Sequence, residues 1–74
     1  MYERLKKLRN NNNFSKKDIA NILGINVNLY SKYENGTKNI PIIYLSLLAK
    51  TYNTSIDYIV GDTDDIKPHT KRLS

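Results

Sequence analysis

The stretch Ser15–Gly36, SKKDIANILGINVNLYSKYENG, decides the reading of this chain. Ser15 precedes a run in which Ile19, Ala20, Ile22 and Leu23 are assigned to one helical face, and Asp18 follows it by three residues. That is the start signal of a helix: the hydroxyl takes an orphan backbone N–H, and the acid faces the positive end of the helix dipole. Gly24 supplies the left-handed backbone that ends it. Asn26 then caps a second helix, Val27 to about Glu34, which Asn35-Gly36 terminates.

Two helices meeting at a short glycine turn form a helix-turn-helix arrangement, whose second helix can enter the DNA major groove. Within that second helix, Tyr30 and Tyr33 lie i,i+3 and turn inward with Ile25. The opposite side presents Asn26, Val27, Asn28, Ser31 and Lys32, a short, polar, mildly basic face. A solvated helix surface carries the same residue types, so the face alone leaves both readings open.

On the N-terminal side, Tyr2 to about Asn11 reads as a helix with Leu5 and Leu8 inward. The run Asn10–Asn13 ends it, and Phe14 anchors the entry to the Ser15 cap. On the C-terminal side, Thr37–Ile40 is a loop, and Pro41 occupies the first position of a fourth helix, where its missing N–H is harmless. Leu45, Leu48, Ala49 and Tyr52 form its core stripe; Ile42, Ile43 and Leu47 add further apolar surface. Asn53-Thr54-Ser55 is a turn and cap for a short fifth helix ending at Gly61, with Ile56, Ile59 and Val60 as its apolar residues. The polar, aperiodic stretch 62–74 is expected to be a loose tail beyond a domain of residues 1–61.

Seventy-four residues make one domain, near the size at which a single core barely outweighs chain entropy. There is no cysteine, hence no disulfide or thiolate metal site, and an all-α bundle that dimerises is the economical solution. The excess positive charge is one-sided. Residues 1–38 hold eight Lys or Arg against three acids, whereas residues 39–74 hold four of each. A polyanion partner and a merely solvated helix surface both accommodate that distribution. No apolar stretch suits a leader or a membrane span, so a cytoplasmic, membrane-free protein is expected.

Nothing in the chain points to catalysis. The single histidine, His69, falls in the polar tail, without a second His, Cys or acid at ligand or triad spacing. Gly36-Thr37-Lys38 lacks the upstream glycine and strand of a phosphate loop. Asp62, Asp64 and Asp65 lack the glycine and closing glutamate of a calcium loop. No enzyme activity, cofactor or metal is expected.

The whole series of motifs resembles the phage-repressor and Cro-like, XRE-type helix-turn-helix family over about residues 2–61. It comprises LKKLR near the start, Ser15-Lys16, IANILGI through the turn, SKYENG, and Pro41 followed by IYLSLLAKTYNTSIDYIVGDTD. The resemblance implies a five-helix, lambda-repressor-like domain that binds double-stranded DNA as a homodimer on a palindromic or pseudo-palindromic operator. It implies base reading by Val27, Asn28 and Lys32. Phosphate contact falls to Lys16, Asn26, Ser31, Asn35, Thr37 and Lys38, with Lys16 standing where a Gln is usual. It also implies an internal salt bridge between Arg9 and Glu34, tying the first helix to the end of the third.

The residue chemistry suits these roles. Asn28 offers a donor and an acceptor to adenine, and Lys32 donates to guanine O6 or N7. Val27 packs against a thymine methyl or only covers the helix end. Ile42 stands where some relatives carry a basic residue, so that contact is absent. The surplus apolar residues Ile42, Ile43, Tyr58 and Val60 are candidates for a homodimer contact. The alternative is a module used mainly for protein contact, of antitoxin or antirepressor type. The expected role is transcriptional regulation, most simply repression, in a bacterial or phage setting, with induction left to another protein, proteolysis or concentration.

Overall fold

Five α-helices follow one another in the chain: α1 (Glu3–Asn11), α2 (Lys16–Leu23), α3 (Val27–Glu34), α4 (Ile42–Thr51) and α5 (Ile56–Val60). This computed structural model describes residues 2–68, and among the described residues there is no strand.

The helix ends follow from local chemistry. Ser15 Oγ accepts from the Asp18 N–H at 3.0 Å, while the Asp18 carboxylate accepts from the Ser15 N–H at 2.8 Å, a reciprocal capping box. Hydrogen bonding from Ser15 to the carboxylate, first from its backbone N–H and then from its side chain, holds the Asp18 carboxyl below its ordinary range. Gly24 ends α2 at φ +74°, where a Cβ would be strained. Asn26 Oδ1 accepts from Leu29 N–H at 2.8 Å and starts α3; Ser55 Oγ does the same for α5 through Tyr58 N–H at 3.0 Å. Pro41 stands one position earlier than expected. Its ψ of 146° is extended, so it flanks α4, and its carbonyl accepts from Tyr44 and Leu45.

The core gathers one side of every helix. Leu5, Ile19, Tyr30, Leu48 and Ile59, one from each helix, are the largest fully buried side chains. Burying each contributes roughly 1.5–3 kcal/mol relative to exposure. Leu8, Ala20, Leu23, Tyr33, Leu45, Ala49 and Tyr52 extend the cluster, and Phe14 packs its ring 6.3 Å from that of Tyr52. Ile22 departs from expectation at 45% exposed. At 100° per residue it lies about 100° off the centre of the Ile19–Ala20–Leu23 face, which explains its exposure. Helices α2 and α3 pack tightly on each other, while α1 bridges α3 and α5.

The chain after α5, expected to be loose, is held by α1 over its first residues. Arg4 donates to the carbonyls of Tyr58 (2.9 Å) and Thr63, reaches the Asp64 carboxylate at 2.7 Å, and lies 4.3 Å over the Tyr58 ring. Thr54 donates its hydroxyl proton to the Ile66 carbonyl. Residues 62–67 therefore form a strap that runs back toward the α4–α5 turn. Residues 69–74, including His69, lie outside the described residues.

Candidate nucleic-acid interface

Helix α3 is fixed from below by a buried polar network. Arg9 on α1 donates through Nε to one Glu34 oxygen (2.8 Å) and through Nη2 to the other (3.1 Å), and its Nη1 donates to the Phe14 carbonyl at 3.1 Å. Tyr30 adds its hydroxyl to Glu34 at 2.8 Å. The ion pair is enclosed, with side chains 10% and 5% exposed. Burial alone pushes the Glu34 carboxyl up, but hydrogen bonds from Arg9 and Tyr30, with the charges of Arg9 and Lys16, outweigh it and hold the group below its ordinary range. Burial and the bond to Glu34 push the Tyr30 hydroxyl strongly up, so it remains a donor. Arg9 and Glu34 thus lock α1 to the last turn of α3.

That anchorage leaves the other side of α3 to solvent. Asn26, Val27, Asn28 and Lys32 are exposed, Val27 at 39%, and Ser31 is half-buried. Lys16, first in α2, donates from Nζ to Ser31 Oγ at 3.2 Å, so one flank of the α3 face already carries an ammonium group. At the far end, Asn35 Oδ1 accepts from both the N–H (2.9 Å) and the hydroxyl (2.6 Å) of Thr37. Because both partners donate, that atom is the amide oxygen, and the Asn35 amide nitrogen is the group's donor. The Lys38 N–H returns to the Lys32 carbonyl at 3.2 Å, holding the exposed Lys38 beside the helix end.

The structure gathers Lys16, Asn26, Val27, Asn28, Ser31, Lys32, Asn35, Thr37 and Lys38 along α3 and its two ends. The four apolar candidates do not share one environment. Ile42 and Ile43 are 68% and 62% exposed and Val60 is 39% exposed, whereas Tyr58 is half-buried under the Arg4 guanidinium. Sequence reasoning missed Lys6, which lines a cleft of about 310 Å³ together with Glu3, Lys16, Glu34 and Asn35. The available signal was its position three residues before Arg9, one turn along the same side of α1. Among the described residues no group of three or more His, Cys, Asp or Glu is placed to hold a metal, and no helix is long and apolar enough to cross a membrane.

Comparison with known proteins agrees with the helical fold. The sequence profile of a helix-turn-helix family matches residues 5–59. An uncharacterized HTH-type transcriptional regulator of Bacillus subtilis (strain 168), YobD, is 37% identical over 70 residues, covering 95% of this chain and 62% of that protein. Antitoxin PezA of Streptococcus pneumoniae serotype 4 is 31% identical over 64 residues, covering 86% of this chain and 40% of that protein. The chain therefore spans only part of the length of these curated relatives. No solved structure matches it. With α2 and α3 joined at Gly24 inside the matched span, the chain belongs to the XRE-type helix-turn-helix family.

Proposed function

We propose that this protein is a sequence-specific, double-stranded-DNA-binding transcriptional regulator, acting as a repressor, that binds a palindromic operator as a homodimer. The observation that carries the reading is the exposed polar face of α3, braced from behind by Arg9, Glu34 and Tyr30 and flanked by Lys16 and Lys38. In this reading α3 lies in the major groove. Val27, Asn28 and Lys32 meet base edges, and Lys16, Asn26, Ser31, Asn35, Thr37 and Lys38 meet phosphates. Ile42, Ile43 and Val60, with Tyr58 at the edge, supply apolar surface for a two-fold contact that sets the recognition helices about 34–36 Å apart. The protein works in the cytoplasm without cofactor, metal or catalytic chemistry.

Selection from a random duplex library, followed by salt titration on the winning sequence, tests this. A two-fold motif with half-sites about one helical turn apart is expected. Asn28→Ala and Lys32→Ala should each relax preference at particular positions, by about 1–3 kcal/mol. Lys38→Ala should weaken all sequences alike and lower the salt slope by about one. Uniform loss in every mutant would remove α3 as the reader.

One observation favours a second reading, in which the domain serves mainly to contact another protein. A relative is named an antitoxin, and Ile42 and Ile43 offer apolar surface to a heterologous partner. Absence of any enriched sequence, with only weak salt-sensitive DNA binding, would favour it.

A further inference from the structure

The cleft beside Lys16 is built from three helices. Helix α1 contributes Glu3 and Lys6 one turn apart, α2 contributes Lys16 at its first position, and the end of α3 contributes Glu34 and Asn35. Two lysines and an asparagine therefore line a cleft of about 310 Å³ at the edge of the α3 face, with the Lys16 ammonium also bonded to Ser31 on that face. The two carboxylates do not cancel them equally. Both oxygens of Glu34 accept from Arg9, and one also accepts from Tyr30, so its charge is turned inward and matched. Glu3 is exposed and bears on the cleft directly.

We infer that Lys6 is a phosphate-positioning residue, and that this cleft seats one phosphate of the DNA backbone between Lys6 on α1 and Lys16 on α2. This rests on the DNA-binding reading above and extends the interface beyond helices α2 and α3. Chemistry favours a phosphate over a base edge. The donors are two point charges on flexible stems and one amide, which grip a tetrahedral anion without discriminating bases. A phosphate seated there is held from two helices at once, so it fixes the tilt of α3 in the groove while carrying no sequence information itself. Glu3 opposes the same anion, and its removal should strengthen the site.

Salt titration of duplex binding separates this from general charge attraction. Lys6→Gln is compared with Lys7→Gln, an equal charge change one residue along on another side of α1, and with Glu3→Gln. Lys6→Gln should make the plot of log affinity against log salt shallower by about 0.9, the value for one lost phosphate contact. Lys7→Gln should leave that slope unchanged, and Glu3→Gln should raise affinity at low salt. Equal effects of Lys6→Gln and Lys7→Gln, or none from Lys6→Gln, would overturn the inference while the wild-type binding left the function intact. Failure of the wild-type protein to bind any duplex would instead overturn the DNA-binding reading, and the phosphate seat with it. Circular dichroism melting of each variant identifies any loss that comes from unfolding.

Discussion

Arg9 shows how one side chain couples stability to the placement of α3. Removing it leaves Glu34 buried without its counter-ion, a change that costs about 3–5 kcal/mol in enclosed pairs. Arg9→Ala should therefore lower the melting temperature sharply at neutral pH, as read by calorimetry. The pH dependence has a defined sign. Glu34 is held below its ordinary range when folded, so its contribution is present above the ordinary carboxylate pKa and is lost as pH falls through the depressed, folded value. The wild-type protein should lose stability on acidification across that window, and Glu34→Gln should flatten the loss. Two tyrosines give opposite expectations at the same scale. Tyr30→Phe removes a donor to a charged acceptor and should destabilise by about 1.5–3 kcal/mol. The Tyr52 hydroxyl is buried with no hydrogen-bond partner among the described residues, and burial pushes its pKa up to about 12. Tyr52→Phe should leave stability unchanged or raise it by about 1 kcal/mol, measured by urea unfolding.

Helix α2 and its turn carry the local signals most plainly. Gly24 has φ +74°, and a Cβ added there would meet nothing within 4 Å, so the penalty for a side chain is conformational and not a clash. Gly24→Ala should destabilise by about 1–2 kcal/mol, and Gly24→Asn by less, because Asn tolerates the left-handed region better. Chemical unfolding of the two variants side by side checks that order. The same locality explains what is legible in the sequence. Ser15 with Asp18, Asn26, Ser55 and Gly61 act within a few residues of themselves, and each cap is found where its residue type places it. Ile22 is the exception on α2, because an apolar residue next to a stripe is chemically like the stripe and only angle separates them. Arg4 escapes sequence reading for a different reason. Its partners at Tyr58, Thr63 and Asp64 are 54 to 60 residues away, and no local pattern encodes such a contact. The Lys6–Lys16 cleft likewise exists only once α1 lies against α3. For α3 itself, the exposed residue types are readable from their spacing, while the geometry of the brace through Glu34 and Tyr30 requires the fold.

At the scale of the whole molecule, the excess positive charge lies in residues 1–38, on α1–α3 and the loop that follows, and the exposed apolar side chains Ile42 and Ile43 lie on α4. In the proposed reading the first is the DNA-facing region and the second the assembling one, and the two can be altered separately. Ile43→Glu should abolish dimers in analytical ultracentrifugation and weaken operator binding while leaving the monomer folded. Unchanged sedimentation would remove α4 from the contact. The strap across α5 adds one more consequence, in the order of events when a protease meets the domain. Residues 62–67 are held by backbone bonds from Asp62 and Thr63 to the Asp57 carbonyl, by Arg4 and by Thr54, and the ion pair to a solvent-exposed Asp64 weakens with salt. The strap is therefore the segment poised to peel first, and cleavage should begin there while the five helices still stand. A nicked chain ending near Gly61 would keep α3 but lose Thr63 and Asp64 as partners of Arg4, leaving that guanidinium to the carbonyl and ring of Tyr58.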